Sequence, residues 1–227
     1  MITLHHLNNS RSQRIIWLLE ILQVEYQIKH YQRDAKTTLA PAELKKIHPL
    51  GKSPVITDGN QVIAESGLII EYLCETYGAD KALMGNKENR WDVKYWLHYS
   101  EGSLMPLMVM KLVFDKIKSA PKPFFIKPIA NAIVDKAMSS YAGPNISNNI
   151  AYIEQHLANN HQQGHDYMCG QQLTGADFQM IFPLEALIAR QKSMAENQPN
   201  IYAYVKRIHA QPEYQKALKA GGQYDYA

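Results

Sequence analysis

Every short segment with strand character lies before residue 65, and from Arg90 onward apolar residues recur only at helical spacing. A chain divided in this way folds as a small mixed unit followed by a helical one. Residues 2–7 are β-compatible and run into the polar break Asn8-Asn9-Ser10. Beyond it Ile15, Leu18, Leu19 and Leu22 recur with the period of an amphipathic helix. Residues 24–31 read as a second strand. Residues 41–47 read as a short helix with Pro41 at its start and Pro49 just past its end. Residues 54–57 and 62–64 flank Asp58-Gly59-Asn60, which favours a hairpin, and Ser66 opens a helix with Ile69, Ile70, Leu73 and Tyr77 on one side.

Residues 79–89 are polar and contain Gly85, as a linker does. Trp91, Tyr95, His98, Tyr99, Gly102 and Met105 then predict a long helix, with Pro106 kinking or shifting it. Three prolines, Pro121, Pro123 and Pro128, interrupt the helical run over residues 119–128. In Leu173-Thr174-Gly175-Ala176-Asp177-Phe178, Thr174 and Asp177 form a capping-box variant, and Leu173 and Phe178 a hydrophobic staple. Residues 199–209 and 212–218 close the chain as helices that each begin at proline. The predicted organisation is an α/β unit over 1–80, a linker over 81–89 and an all-α unit over 90–227.

Composition excludes several classes. With 46% hydrophobic and 20% charged residues, the chain of 227 residues is an ordinary globular one. Its 24 basic and 21 acidic residues are scattered, without the basic stripe that nucleic acid requires. No apolar stretch approaches the roughly 20 residues of a membrane span, and the N-terminus lacks a signal pattern, so a cytoplasmic protein without stable membrane association is expected. Cys74 and Cys169 fit neither a redox pair nor a metal-ligand spacing and read as reduced and buried; no metal is expected.

The element order βαβαββα within the first 78 residues is that of the thioredoxin-like fold. Three strings then carry a specific resemblance: Asn9-Ser10-Arg11-Ser12-Gln13-Arg14-Ile15, His48-Pro49-Leu50-Gly51-Lys52-Ser53-Pro54-Val55, and Ala64-Glu65-Ser66-Gly67-Leu68-Ile69-Ile70-Glu71-Tyr72-Leu73. In order and spacing they resemble the three glutathione-site segments of cytosolic glutathione transferases of the serine type, as found in bacteria and fungi. The capped segment at Thr174 is similar to the start of the buried central helix in the same family's C-terminal domain. The resemblance implies a thioredoxin-like glutathione-binding domain followed by a helical bundle.

It also implies chemistry. Glutathione carries two carboxylates, one ammonium and a thiol with an ordinary pKa of about 8.5. An enzyme that uses the thiolate as nucleophile must hold the peptide and lower that pKa. Ser10, at the start of the first helix, is the expected hydrogen-bond donor to the sulfur, aided by the helix's positive end. Ser10 and Gln13 also match a capping box, and Ser12 is a competing hydroxyl. Arg11 points either toward glutathione or into solvent. By resemblance, the Ser53–Pro54 bond is cis and exposes the backbone of Val55 to pair with the cysteinyl unit. Ser66 would hold the γ-glutamyl carboxylate, Glu65 its ammonium and Lys52 the glycyl carboxylate. Glu101 would reach the γ-glutamyl group of the neighbouring subunit of a homodimer. His48 and Ser53 depart from the family's usual Asn and Val or Ile.

The second-substrate pocket is expected between Ser10 and the long helix, among Tyr99, Met105, Met108 and Phe114, side chains that also suit a helical core. Residues 119–128 read as a surface loop, with a lid or a weak membrane-surface contact as alternatives. The function so implied is conjugation of glutathione to small hydrophobic electrophiles, with peroxidase or disulfide-reductase side activity. The alternative is a glutathione-binding regulatory or scaffold protein without turnover.

Overall fold

The computed structural model describes residues 1–190 and 193–227. Its sheet has four strands in the order β2-β1-β3-β4: β1 (Ile2–Leu7), β2 (Tyr26–Tyr31), β3 (Val55–Asp58) and β4 (Gln61–Ala64). Strands β1 and β2 run parallel from Ile2↔Tyr26 to Leu7↔Tyr31, and β3 is antiparallel to both β1 and β4. Strand β1 lies inside the sheet and is covered on both faces, so its residues, His5 and His6 included, are buried almost without a break rather than alternately. Gly59 supplies the positive φ of 55° in the β3–β4 hairpin.

Helix α1 (Gln13–Leu22) lies in the core, with Ile15, Ile16, Trp17, Leu18 and Leu19 fully buried. Helix α2 (Ser66–Tyr77) buries Ile69, Ile70, Leu73 and Cys74. These elements complete the thioredoxin-like βαβαββα order, the segment over Ala42–Lys46 being a short 3-10 turn.

The rest is helical. The predicted long helix is present in two parts, α3 (Arg90–Tyr99) and α4 (Met105–Ser119), joined by one wide turn at Ser100–Leu104. Pro106 sits in the first turn of α4, where a proline has no amide bond to lose. After a break that holds Pro121 and Pro123 come α5 (Lys127–Ala137), with Pro128 in its first turn, α6 (Gly143–Gln162), α7 (Gly175–Arg190), the short α8 (Met194–Asn197), α9 (Pro199–His209) and α10 (Pro212–Gly221). Among the described residues no helix is long and apolar enough to cross a membrane.

Helix α7 is buried from Gly175 to Leu187, and Asp177, Gln179 and Glu185 are buried among its apolar residues. The Asp177 carboxylate fixes its start. It accepts the Thr174 amide and the Tyr204 hydroxyl, each at 2.8 Å, and the Met168 amide at 2.8 Å. Thr174 Oγ1 also donates to this carboxylate at 3.0 Å, so the capping box forms with side chain to side chain in place of the hydroxyl-to-amide half. Cys74 and Cys169 are free and buried, and desolvation drives both thiols well above their ordinary pKa.

Helix α10 lies on α1, joining the two ends of the chain. Gln13 Nε2 donates to the Ala217 carbonyl at 2.7 Å, and His6 to the Gly221 carbonyl at 3.0 Å. A Cβ at Gly221 would meet Gln13 Oε1 at 2.1 Å, so any side chain there would displace that of Gln13.

Candidate active site

Ser10 sits in the turn between β1 and α1, almost wholly buried. It does not cap the helix. Helix α1 begins at Gln13, whose side chain reaches Ala217 instead of turning back, so the capping box predicted for Ser10 and Gln13 is not formed. The Ser10 hydroxyl instead accepts the Ser12 amide at 3.2 Å and lies 2.7 Å from Ser12 Oγ.

The direction of these bonds can be deduced. Burial and the nearby His30 push the His6 pKa down to about 4, so His6 is neutral at physiological pH. Its Nε2 faces the Gly221 carbonyl, which only accepts, so Nε2 carries the proton and Nδ1 is bare. Ser12 Oγ, 2.8 Å from Nδ1, therefore donates to it. With its single proton so placed, Ser12 accepts from Ser10. The Ser10 proton thus points inward along a chain Ser10, Ser12, His6.

Two cavities meet beside this turn. The first, about 200 Å³, is lined by Ser10, Asn9, Arg33 and Tyr226 on one side and by Met105, Met108, Val109, Leu112 and Phe182 on the other. The second, about 80 Å³ and more polar, is lined by Arg11, His48, Lys52, Ser53, Pro54, Val55, Glu65, Ser66 and Glu101 among others. Arg11 and Ser53 border both.

The polar cavity has the features of a peptide site. The Ser53–Pro54 bond is cis. Val55, however, is paired on both sides, with His5 and with Ala64, so its backbone lies inside the sheet. Ser53, just before the cis bond, has no backbone partner for its amide or carbonyl among the described residues, and the open edge belongs there rather than to Val55. The Ser53 hydroxyl donates to the His5 carbonyl at 2.8 Å and accepts the Leu7 amide at 3.2 Å, pinning the loop to β1. Glu65 takes φ 72° and ψ 125°, a conformation non-glycine residues rarely adopt, and its side chain does not cap α2. The buried Ser66, first residue of α2, borders this cavity. Glu101 pairs with Arg14 at 2.8 Å and with Arg11 at 3.3 Å, and it borders its own chain's cavity. Arg14 is itself buried and also donates to the Gln179 carbonyl at 2.6 Å.

Residues 1–75 match the glutathione S-transferase N-terminal domain family, and residues 125–220 the glutathione S-transferase C-terminal domain family. Glutathione S-transferase 1 of Saccharomyces cerevisiae is 34% identical over 221 residues, spanning 94% of this chain and 92% of the yeast protein. The chain belongs to the glutathione S-transferase family. Glutathione S-transferase 3 of Schizosaccharomyces pombe is 39% identical over 211 residues, 91% of this chain and 81% of that one. The crystal structure of a glutathione S-transferase from Actinobacillus pleuropneumoniae has 33% identity and a TM-score of 0.76, covering 100% of this chain and 95% of that one. The chain is thus an enzyme of this transferase family, with its thioredoxin-like and helical halves.

In this glutathione transferase the apolar cavity differs from the sequence expectation at two positions. Met105 and Met108 line it, one helical turn apart. Tyr99 does not: it is buried in an aromatic cluster with Tyr95, Trp96 and Tyr152, and its hydroxyl donates to Asn149. Phe114 also lies outside the cavity wall, which on α4 runs Met105, Met108, Val109 and Leu112. That stripe keeps i, i+3, i+4, i+7 spacing, so it is the face of α4 turned to the cavity. Sequence reading missed Arg33, Phe182, Arg190 and Tyr226. Phe182, Ala186 and Arg190 stand four residues apart on α7, a stripe visible in the sequence once the partner face is known. Among the described residues no group of three or more His, Cys, Asp or Glu is placed to hold a metal ion.

Proposed function

We propose that this enzyme attaches the thiolate of glutathione to small hydrophobic electrophiles, with Ser10 donating its hydrogen bond to the sulfur. The observation that carries this reading is the position of the Ser10 turn where a polar recess adjoins an apolar cavity. Glutathione in the polar recess would set its γ-glutamyl carboxylate on Ser66 and the α2 amides, and its ammonium on Glu65. Lys52 and His48 are at hand for the glycyl carboxylate, and the backbone of Ser53 for the cysteinyl unit. The Glu101–Arg11 pair would stand beside the γ-glutamyl end, within one chain or across a dimer.

The chemistry asked of the protein is modest. The thiol proton leaves to solvent, the sulfur forms a bond to the electrophilic carbon, and the leaving group departs with its bonding electrons. To stabilise the thiolate, Ser10 must turn its proton from Ser12 to the sulfur, a hydrogen bond to the charged form that lowers the thiol pKa. With a peroxide or disulfide in the apolar cavity the same thiolate would attack oxygen or sulfur. We also infer a cytoplasmic homodimer of units 1–80 and 90–227.

Turnover measured with chlorinated nitroaromatics, an unsaturated aldehyde, a hydroperoxide and a disulfide, beside calorimetry of glutathione binding, tests this function. Conjugation is expected to dominate. Tight glutathione binding with no turnover on any of the four would instead identify a non-catalytic binding protein.

A further inference from the structure

Arg33 and Arg190 border the cavity beside Ser10, yet neither borders the recess suited to glutathione. Arg33 follows the end of β2 and is half-buried. Its guanidinium donates to three carbonyls, those of Asn8 at 3.2 Å, Thr38 at 3.1 Å and Asn9 at 3.4 Å. Carbonyls orient a guanidinium but carry no counter-charge, and burial lowers the pKa of Arg33. Arg190 stands at the far end of the α7 stripe and also borders the adjoining cavity with Lys111. Among the described residues neither arginine makes an ion pair.

The neighbouring carboxylates are already engaged. Glu101 holds Arg11 and Arg14, Asp115 holds Lys111, and Asp225 accepts from Asn9 at 2.7 Å and Gln223 at 3.1 Å. No Asp or Glu lines the cavity itself. Both carboxylates of glutathione are accounted for in the polar recess, so they leave these two cations unanswered. The opposite wall, Met105, Met108, Val109, Leu112 and Phe182, is apolar. An occupant that satisfies both walls has an apolar body and a negative end.

We propose that the second substrate of this enzyme is an amphiphilic electrophile whose carboxylate, or other singly charged anionic group, is held by Arg33 and Arg190. The proposal rests on the conjugation reading and names the substrate class of that site. A neutral electrophile leaves both guanidinium groups without a counter-charge, whereas an anion supplies charge-assisted bonds to each. Discrimination then follows from the charge that the neutral substrate lacks.

The test compares a chlorodinitrobenzene with the chlorodinitrobenzoate that differs from it by one ring carboxylate. In each, the thiolate sulfur bonds to the carbon bearing chlorine and chloride leaves with the bonding pair. With kcat/KM divided by the uncatalysed rate constant, the wild-type enzyme is expected to favour the benzoate by about tenfold. Arg190→Gln, at an exposed site, should erase most of that ratio, and Arg33→Gln should do the same if its loop folds. Calorimetry of the two S-aryl glutathione conjugates repeats the comparison without turnover. Absence of conjugation with a preserved preference for the carboxylated conjugate would refute the transferase reading and leave this proposal standing. Equal ratios for wild type and Arg190→Gln in both assays would overturn it.

Discussion

The Ser10 hydroxyl has one proton, and Ser12 takes it while His6 is neutral. Stabilising a thiolate therefore means breaking a buried hydroxyl pair, at about 1 kcal/mol for a typical internal hydrogen bond. Ser12 is thus a brake on the very residue it orients. Replacing Ser12 with Ala should free the Ser10 proton and lower the pKa of enzyme-bound glutathione by roughly half to one unit. The ultraviolet absorbance of the thiolate against pH reads this directly; a pKa that stays put or rises in Ser12→Ala contradicts the deduced direction of the chain. At this scale the sequence was informative about which residue types gather, and silent on bond direction. Ser10 and Ser66 occupy a turn and a helix start, positions that a sequence marks locally. The Ser12–His6 link needed the backbone of β1 curled back on the turn, and the Gly221 carbonyl that fixes the histidine tautomer arrives from the far end of the chain.

Burial of His6 on β1 makes the fold sensitive to pH, and the α10 carbonyl that it meets partly opposes the shift. The folded protein holds His6 neutral with a pKa of about 4, against 6.5 for a free imidazole. Above about pH 6.5 both folded and unfolded states leave this group neutral, and its contribution is fully present. As pH falls from about 6.5 toward 4 the unfolded chain takes up a proton that the folded one resists, so stability is lost, by up to about 3 kcal/mol. His5 and His156 are displaced in the same direction by burial, so the difference between proteins is the informative quantity. Urea unfolding of wild type and His6→Asn through this range should give a flatter pH dependence for the variant; parallel curves would show that His6 is not the group responsible. The elements themselves were largely legible: strands before residue 65, helices after Arg90, proline at helix starts. Periodicity gave each helix its buried stripe, but it does not say whether a stripe faces core or cavity. Periodicity therefore groups Tyr99 and Phe114 with Met105 and Met108, and it does not mark the wide turn at Ser100–Leu104.

At the scale of the whole molecule the main core spans both halves, beside a small separate cluster of Leu7, Tyr31 and Leu44, and the two cavities are lined by residues of both halves. It also exposes apolar side chains on one hairpin and two helices: Val62 at 49%, Leu68 at 54%, Trp91 at 65% and Tyr95 at 47%. Solvent exposure of large apolar groups on the glutathione-domain flank and the start of α3 suits a two-fold partner. Light scattering at micromolar concentration should report a dimer that Trp91→Glu weakens, and a monomeric wild type would contradict the pairing. A single chain's sequence marks such residues only as apolar, since a face covered by a second copy has the same composition as a core. The central claim, however, concerns one atom: that Ser10 Oγ, buried beside the shared wall of both cavities, holds the sulfur as a thiolate. The pKa of glutathione bound to wild type and to Ser10→Ala, read from thiolate absorbance, tests it most directly. The wild-type value should lie at least about one unit below the free thiol's 8.5, and the Ser10→Ala value should return most of the way toward it. Equal values in two folded proteins that both bind glutathione would contradict the account.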